Sequence, residues 1–114
     1  MEKKPLERDI QKQIIAYLRL KNVYCWENRS QGTFDPKRRL FRQNKGKFFI
    51  KGVSDVLGIT TDGTFIAIEV KRPGGKVTPE QMDFIANIAR NNGIAFVAYS
   101  LKDVQDHLIA RLQR

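Results

Sequence analysis

Apolar residues at intervals of three and four predict a helix near the start of the chain, over residues 6 to 20. The positions on this stripe are Leu6, Ile10, Ile14, Tyr17 and Leu18. Pro5 suits the first turn of a helix, and we expect the helix to end at Asn22. Glu7 falls on or beside the stripe, so it lies either at an exposed rim, where an acid favours the helix dipole, or against a site under the helix. The pattern leaves both positions open.

Two further helices are predicted in the second half of the chain, each with a capping sequence at its start. Thr78, Pro79 and Gln81 provide an N-cap, a first-turn proline and the third residue of a capping box. Ser100 and Asp103 repeat the capping pattern.

The apolar residues of these two helices predict their buried faces. For the earlier helix, which we expect Gly93 to terminate, they are Met82, Ile85, Ile88 and Ala89. For the later helix they are Leu101, Val104, Leu108 and Leu112. His107 lies in the later helix and is predicted to be an ordinary surface histidine.

Runs rich in β-branched and aromatic residues predict four strands, over residues 23 to 26, 52 to 60, 64 to 71 and 94 to 99. The two middle strands form a β-hairpin, because Asp62-Gly63 is a strong turn signal between two apolar runs. The second arm of this hairpin is apolar on both faces, as in a strand at the centre of a sheet.

These elements give the order α-β-β-β-α-β-α, with a basic insertion after the first strand. The hairpin is antiparallel, whereas the strand–helix–strand unit from Phe65 to Tyr99 should be right-handed with parallel strands. The sequence therefore predicts an α/β fold with a mixed central sheet flanked by helices on both faces, as a single domain over residues 1 to 114. Within the insertion, residues 40 to 41 and 48 to 50 are candidate strands of a small ribbon around the Asn44-Lys45-Gly46 turn.

The composition is typical of a soluble globular protein, with 41% hydrophobic and 29% charged residues. No apolar run is long enough to cross a membrane, and the N-terminus lacks the apolar segment of a signal peptide. Cys25 is the single cysteine, which excludes an internal disulfide, and we expect it to be a small buried strand residue rather than a reactive thiol. A cytoplasmic location, in a bacterial or phage-infected cell, or a nuclear one follows as the expectation.

The formal net charge of +9 predicts an anionic partner, with nucleic acid favoured over a membrane surface. Seven basic residues and no acid lie between Asp35 and Asp55, namely Lys37, Arg38, Arg39, Arg42, Lys45, Lys47 and Lys51. A solvated loop is the alternative interpretation, but the segment also contains three phenylalanines and leads directly to a group of acids. We therefore predict that these seven residues, together with Arg29, bind DNA phosphates.

Asp55, Glu69 and Lys71 form a candidate catalytic group. Glu69 and Lys71 are two residues apart in one strand and point to the same face, and Asp55 can meet them across the hairpin. A carboxylate in such an apolar strand is costly unless it is paired or bound to a metal. The two carboxylates, with the Val70 carbonyl as a third ligand, would hold Mg²⁺ or Mn²⁺ for attack on a phosphodiester, and Lys71 would orient water or stabilise developing charge. A buried ion cluster without catalysis is the alternative.

The stretches Gly52-Val53-Ser54-Asp55 and Ile68-Glu69-Val70-Lys71, with Gln81 in the next helix, resemble the motif of the PD-(D/E)xK nuclease superfamily. Nearly the whole chain is most similar to the VRR-NUC domain of that superfamily. The resemblance implies a restriction-endonuclease-like core in which Asp55 and Glu69 bind the metal and Lys71 is the catalytic lysine. It also implies an auxiliary acid role for Glu7 and a catalytic role for Gln81, which competes with the predicted capping role. Ser54 departs from the pattern, since the superfamily often has proline there.

Stand-alone VRR-NUC domains resemble structure-selective nucleases that act as homodimers on branched DNA, so the resemblance implies DNA and a second copy of the chain as partners. No nucleotide-binding glycine motif occurs, and neither a nucleotide cofactor nor a membrane is expected. The resulting prediction is a metal-dependent endonuclease for four-way junctions or flaps in replication, repair or recombination. A non-catalytic nucleic-acid-binding module on the same fold, and a nicking or restriction-type enzyme, remain as alternatives.

Overall fold

The structure, a computed structural model, describes residues 5–29, 33–35, 40–42 and 46–112, with side chains over residues 5–29 and 46–109. Within these ranges the chain forms, in order, α1 (Glu7–Leu20), β1 (Tyr24–Glu27), β2 (Thr33–Asp35), β3 (Leu40–Arg42), β4 (Val56–Ile59), β5 (Phe65–Val70), α2 (Pro79–Arg90), β6 (Ile94–Ala98) and α3 (Leu101–Leu112). The first helix begins one residue later than predicted, and Pro5 precedes its N-cap residue, Leu6.

A mixed sheet with the strand order β1-β4-β5-β6 lies at the centre of the fold. β4 pairs antiparallel with both β1 and β5, which confirms the predicted hairpin. β5 and β6 are parallel and α2 connects them, as predicted for the strand–helix–strand unit. The prediction of a mixed α/β fold is therefore confirmed.

The hairpin turn fixes the register of β4 against β5. Gly63 adopts a positive φ of 86°, which a glycine tolerates at little cost. The Asp62 carboxylate accepts hydrogen bonds from the Thr60 hydroxyl and from the backbone amide of Thr64, the latter at 3.2 Å. These hydrogen bonds lower the pKa of Asp62, and the bond from Thr60 has the largest effect. The turn thus holds the two strands that carry the candidate site.

The small ribbon predicted within the insertion pairs differently from the prediction. β3 pairs antiparallel with β2, not with residues 48 to 50. The backbone amide of Phe49 donates a 3.0 Å hydrogen bond to the Gly46 carbonyl, so residues 46 to 49 form a tight turn. The chain therefore bends where the predicted ribbon required an extended strand.

Helices cover both faces of the sheet, as predicted. The even-numbered side chains of β5 and β6 pack with α1 and α3 into the main hydrophobic core, whose largest fully buried residues are Ile14, Leu18, Ile66, Ile68 and Leu108. α2 packs on β5 and β6. Because side chains alternate along a strand, the odd-numbered residues of β5, Glu69 among them, face α2.

Asparagines, rather than glycine, terminate the first two helices. Asn22 ends α1 with a φ of 63°, as predicted, whereas Asn92 with a φ of 69° takes the place expected for Gly93 at the end of α2. The backbone amide of Gly93 then donates to the Ile88 carbonyl at 2.9 Å, as in a Schellman motif. The prediction for Gly93 was wrong because asparagine also tolerates the left-handed conformation.

The buried face of α2 differs from the predicted stripe. Ile85 is buried and Ile88 is half-buried, but Met82 and Ala89 are exposed. The residues that turn towards the sheet are instead spaced three and four apart and include a polar one: Gln81, Phe84, Ile85 and Ile88. The helix is therefore rotated so that Gln81 lies on its buried side.

In α3 the predicted burial of Val104 and Leu108 is confirmed, and Leu101 packs partly buried against the same core. The side chain of Leu112 lies outside the described residues. The Asp103 amide donates to the Ser100 hydroxyl at 3.2 Å, and the Asp103 carboxylate accepts from the Tyr99 amide at 2.8 Å. The predicted cap is thus present, although the Asp103 carboxylate accepts its hydrogen bond from Tyr99, the residue before the N-cap residue Ser100.

Two single residues behave as the sequence predicted. Cys25 is buried, and that burial raises the pKa of its thiol despite the nearby Arg19 guanidinium, so the thiol is poorly reactive. His107 is exposed, and its ring stacks on Phe96 with centroids 4.1 Å apart. Among the described residues, no helix is both long and apolar enough to cross a membrane.

Candidate active site

Three of the predicted site residues converge where β4 and β5 lie side by side. Asp55 immediately precedes β4, Glu69 lies in β5 and Lys71 directly follows it. The register pairs Val56 with Ile68, so that extending the antiparallel ladder by one residue places Asp55 opposite Glu69 on the face that α2 covers. In the structure, Asp55 therefore lies next to Glu69 and Lys71 across the hairpin, as predicted.

Glu69 is the most deeply buried charged residue of the site, with 2% of its surface exposed. Its Oε1 accepts a 2.7 Å hydrogen bond from Gln81 Nε2 and lies 3.9 Å from Lys71 Nζ. Its Oε2 is also buried and has no hydrogen-bond partner among the described residues. A carboxylate oxygen without a donor is costly in such surroundings, so this atom is available to a cation.

Burial raises the pKa of Glu69 to about 8, from an ordinary value of 4.5. Asp55 raises this pKa further, by repulsion and because a proton on Glu69 can be shared with the Asp55 carboxylate; the Lys71 ammonium lowers the pKa, and Glu7 adds a small repulsion. Without a cation the site therefore favours a protonated Glu69 near neutral pH. A divalent ion between the two carboxylates would reverse that preference.

Asp55 is held by the backbone of the neighbouring strand. Its Oδ2 accepts a 2.8 Å hydrogen bond from the backbone amide of Val70. Since the N–H and C=O of one strand residue point to the same side, the Val70 carbonyl is directed towards Asp55 as well. Together with the Glu69 oxygen that has no donor, these groups form the all-oxygen donor set that Mg²⁺ and Mn²⁺ prefer.

Two carboxylates, rather than three, meet at the candidate site. Among the described residues, no group of three or more His, Cys, Asp or Glu side chains is placed to hold a metal ion. Glu7 lies in the first turn of α1 and is half-buried, and it acts on Glu69 through repulsion. Its position therefore favours the site over the exposed rim, but as an outer acid rather than a ligand.

Gln81 both caps α2 and contacts the site, so the expected competition between its two roles does not arise. Its Oε1 accepts from the Thr78 backbone amide at 2.9 Å, while its Nε2 donates to Glu69. Thr78 Oγ1 in turn accepts from the Gln81 backbone amide at 3.2 Å, completing the predicted capping box. A primary amide has separate donor and acceptor ends, and here each end serves one role.

Gly52 supports the site through its backbone, which the spacing of residues in the sequence did not indicate. Its φ is +80°, and an added Cβ would lie 2.4 Å from the carbonyl carbon and oxygen of Glu80. The chain leading to Asp55 thus packs directly against the first turn of α2, which carries Gln81. The following Ser54 is fully buried, and its hydroxyl has no hydrogen-bond partner in the described part of the chain.

Only three of the eight predicted phosphate-binding residues have side chains within the described part of the structure. Lys47 and Lys51 are exposed in the segment before Gly52, and Lys47 Nζ lies 5.7 Å from the ring centroid of Phe48. Arg29 is exposed and pairs with Glu27 at 3.2 Å. The remaining members lie outside the described residues, either wholly or by their side chains: Lys37, Arg38, Arg39, Arg42 and Lys45.

Comparisons with known proteins agree with this architecture. A solved structure described as a VRR_NUC domain protein superposes with a TM-score of 0.66, over 97% of this chain and 91% of the other, at 17% sequence identity. At this identity the likeness establishes the mixed α/β fold alone. None of the curated proteins compared gives a significant match.

The sequence itself identifies the family. Residues 7–102, most of the chain, match the family model of the VRR-NUC domain, which is a nuclease-type domain. The chain therefore belongs to the VRR-NUC domain family, as its resemblance implied.

Proposed function

We propose that this protein is a metal-dependent DNA endonuclease that hydrolyses phosphodiester bonds in branched DNA. The observation that carries the proposal is Glu69: a buried carboxylate beside Asp55, with one oxygen held by Gln81 and the other without a donor. With both carboxylates ionised, this arrangement is unfavourable in an empty site and favourable around a divalent cation. Membership of a nuclease-type family supports the same conclusion.

The residues of the chain have distinct roles in this proposal. Asp55 and Glu69, with the Val70 carbonyl, would hold Mg²⁺ or Mn²⁺, which when bound supplies charge neutralisation and an activated water. Lys71 lies beside Glu69 and is 13% exposed, so that its ammonium can stabilise charge on the phosphoryl oxygens or orient the water. Gln81 fixes the rotamer of Glu69.

The expected substrate and assembly extend the proposal beyond the site. The net charge of +9 supports binding to a polyanion, and exposed Lys47 and Lys51 extend the predicted phosphate-binding surface up to Gly52. Selectivity for four-way junctions or flaps, action as a homodimer and a role in replication, repair or recombination follow from the family resemblance.

A cleavage assay with isosteric variants tests the proposal. Asp55→Asn and Glu69→Gln should lose Mg²⁺-dependent cleavage of junction and flap substrates, and calorimetric Mn²⁺ binding, while they keep DNA binding. Lys71→Met should lose roughly a hundredfold in single-turnover rate and still bind Mn²⁺. Asp83→Asn is the matched control, since Asp83 is an exposed acid of α2 whose carboxylate accepts only a long bond from Asn87.

Two outcomes would contradict the proposal. Cleavage at the wild-type rate by Asp55→Asn or Glu69→Gln would show that these carboxylates are not the metal ligands. Tight DNA binding without cleavage of any junction, flap, nicked or linear substrate, with either metal, would favour a non-catalytic nucleic-acid-binding module on this fold.

A further inference from the structure

Two aromatic side chains project into solvent from the edge strand β1. Tyr24 is 78% exposed and Trp26 is 38% exposed, and their ring centroids lie 5.7 Å apart with planes inclined at 57°. Cys25 between them is buried on the opposite face, so the two rings share one face of the strand. Two adjacent, partly or largely exposed large rings on a rigid strand form a candidate contact surface.

These rings lie on the same sheet face as the candidate active site. The register pairs Trp26 with Leu57 and Tyr24 with Ile59, and paired residues point to one face. Asp55 is two residues from Leu57 and therefore points to that face as well. The Cα atoms of Trp26 and Asp55 are about 8 Å apart, because Asp55 lies two residues along β4 from Leu57, the partner of Trp26 across one inter-strand spacing.

The backbone joins the two features directly. Beyond β1, the amide of Asn28 donates a 2.7 Å hydrogen bond to the Asp55 carbonyl. On this face α2 packs on β5 and β6, whereas the half formed by β1 and β4 bears exposed rings and the 42% exposed Ile59. A DNA strand that left the carboxylates along β4, away from α2, would therefore pass over Trp26 and then Tyr24.

We propose that Tyr24 and Trp26 form a stacking platform for unpaired bases of the DNA strand that enters the active site. Bases present π-faces to which aromatic side chains stack without regard to sequence, and the +9 charge selects a polyanionic partner. At stacked spacing of about 3.4 Å per base, the platform lies roughly two to four bases from Asp55. The inference rests on the proposed nuclease function and explains how the site selects DNA with unpaired strands.

A second copy of the chain is the competing occupant. Two rings and one isoleucine form a small patch, whereas a stable interface buries on the order of 800 Å² from each partner. The two rings are also inclined to one another at 57°, so they do not form the flat surface that suits sheet-on-sheet packing. The patch therefore fits a base better than a second copy.

Trp26 allows a direct test, because it is the only tryptophan in the chain. With EDTA present to prevent cleavage, an oligothymidylate should quench its fluorescence saturably, and a blunt duplex of equal length should quench it much less. Tyr24→Leu should weaken oligothymidylate binding by roughly fivefold or more, since stacking contributes that much per base. Its binding to blunt duplex should stay within twofold of wild type.

Two control variants isolate the effect of the ring. Tyr24→Phe keeps the stacking face and should bind oligothymidylate like wild type. Leu20→Ala removes an equally exposed apolar side chain, 82% exposed at the end of α1, and should change nothing. Circular dichroism on each variant confirms that the fold is retained.

Absence of quenching, or an equal loss of single-stranded and duplex binding in Tyr24→Leu, would overturn the platform. If Trp26 emission instead depends on protein concentration, and Tyr24→Leu converts a dimer to a monomer by light scattering, the surface belongs to a second copy. The proposed function fails separately, through absence of Mg²⁺-dependent cleavage, because quenching is measured without metal.

Discussion

Gln81 Nε2 donates a 2.7 Å hydrogen bond to Glu69 Oε1, while the other end of the same amide accepts from the backbone of Thr78. One side chain therefore joins the start of α2 to the buried carboxylate of β5. The helix N-terminus is fixed by the capping box, so the amide that holds Glu69 is fixed as well. The cap of α2 and the position of the Glu69 carboxylate therefore depend on the same Gln81 side chain.

Separating these two roles is the first prediction. Gln81→Ala should destabilise the protein by about 1 kcal/mol through the lost cap and should also slow cleavage, because Glu69 loses the donor that fixes its rotamer. Thr78→Ala should cost a similar stability but leave the rate within about twofold, since the Thr78 amide still holds Gln81. Urea unfolding and single-turnover cleavage measure the two effects. Equal rate losses in both variants would mean that only helix stability matters.

The second prediction concerns the first turn of α1, which contains two acids, Glu7 and Asp9. Only Glu7 acts on Glu69, so Glu7→Gln should slow cleavage whereas Asp9→Asn should not. Both substitutions remove an acid that favours the helix dipole, and each should cost roughly 0.3–1 kcal/mol. Cleavage rates beside thermal unfolding check this, and an unchanged rate in Glu7→Gln would restrict Glu7 to the dipole role.

The third prediction is a pH dependence of stability in the absence of divalent metal. Because the pKa of Glu69 is about 8 in the folded protein and 4.5 ordinarily, folding favours its protonated form. That contribution is fully present below about pH 4.5 and is lost as the pH rises through about 8. Wild type should therefore lose a few kcal/mol relative to Glu69→Gln across this window.

Urea unfolding in EDTA at several pH values measures this difference. Mg²⁺ should restore stability to wild type at pH 8, because it binds the ionised carboxylate, and should have no effect on Glu69→Gln. Parallel stability curves for the two proteins in EDTA would show that Glu69 is ionised without metal.

The fourth prediction compares two glycines with positive φ. Gly52→Ala should destabilise the protein more than Gly63→Ala does, by at least about 1 kcal/mol, although both positions are strained for alanine. At Gly63 an added Cβ meets nothing within 4 Å, whereas at Gly52 it would lie 2.4 Å from the backbone of Glu80. Denaturant unfolding gives the comparison. Gly52→Ala should also reduce cleavage, since the segment leading to Asp55 must move away from α2, and equal costs at both glycines would contradict this packing.

The fifth prediction concerns the exposed lysines before Gly52. The double substitution Lys47→Ala and Lys51→Ala should flatten the slope of log affinity for duplex DNA against log salt by up to about 2, since each phosphate contact contributes about 0.9. Lys102→Ala is the control, because Lys102 is also exposed, at 77%, but lies on α3, far from Gly52 in sequence, and pairs with Asp106 at 2.9 Å. Fluorescence anisotropy at several salt concentrations measures the slope, and an unchanged slope would exclude these lysines as phosphate contacts.

Much of the fold was predictable because its determinants are local. The 3.6-residue stripe of α1, the Asp62-Gly63 turn and the Thr78 cap each depend on residues a few positions apart. The pairing of β4 with β5 follows from the turn, and with it the approach of Asp55 to Glu69. The candidate carboxylates could therefore be identified from spacing along one hairpin.

The rotation of α2 was not predictable in the same way. Met82 is apolar and was expected to be buried, but the helix turns Gln81 towards the sheet and leaves Met82 exposed. Spacing alone fits either stripe, because Gln81, Phe84, Ile85 and Ile88 are also three and four residues apart. In the structure the stripe that contains Gln81 faces the sheet, where Gln81 bonds to Glu69, a residue on another element.

The sequence by itself determined the three helices, the four strands of the central sheet and the β4–β5 hairpin, and it was enough to select Asp55, Glu69 and Lys71 as candidate site residues. Only the tertiary structure decided that Gln81 serves both cap and site, that Gly52 packs on α2, and that Tyr24 and Trp26 share a sheet face with the carboxylates. The reason is physical: periodicity and capping act within a few residues, whereas these relationships depend on which strands pair and on the close approach of separate elements.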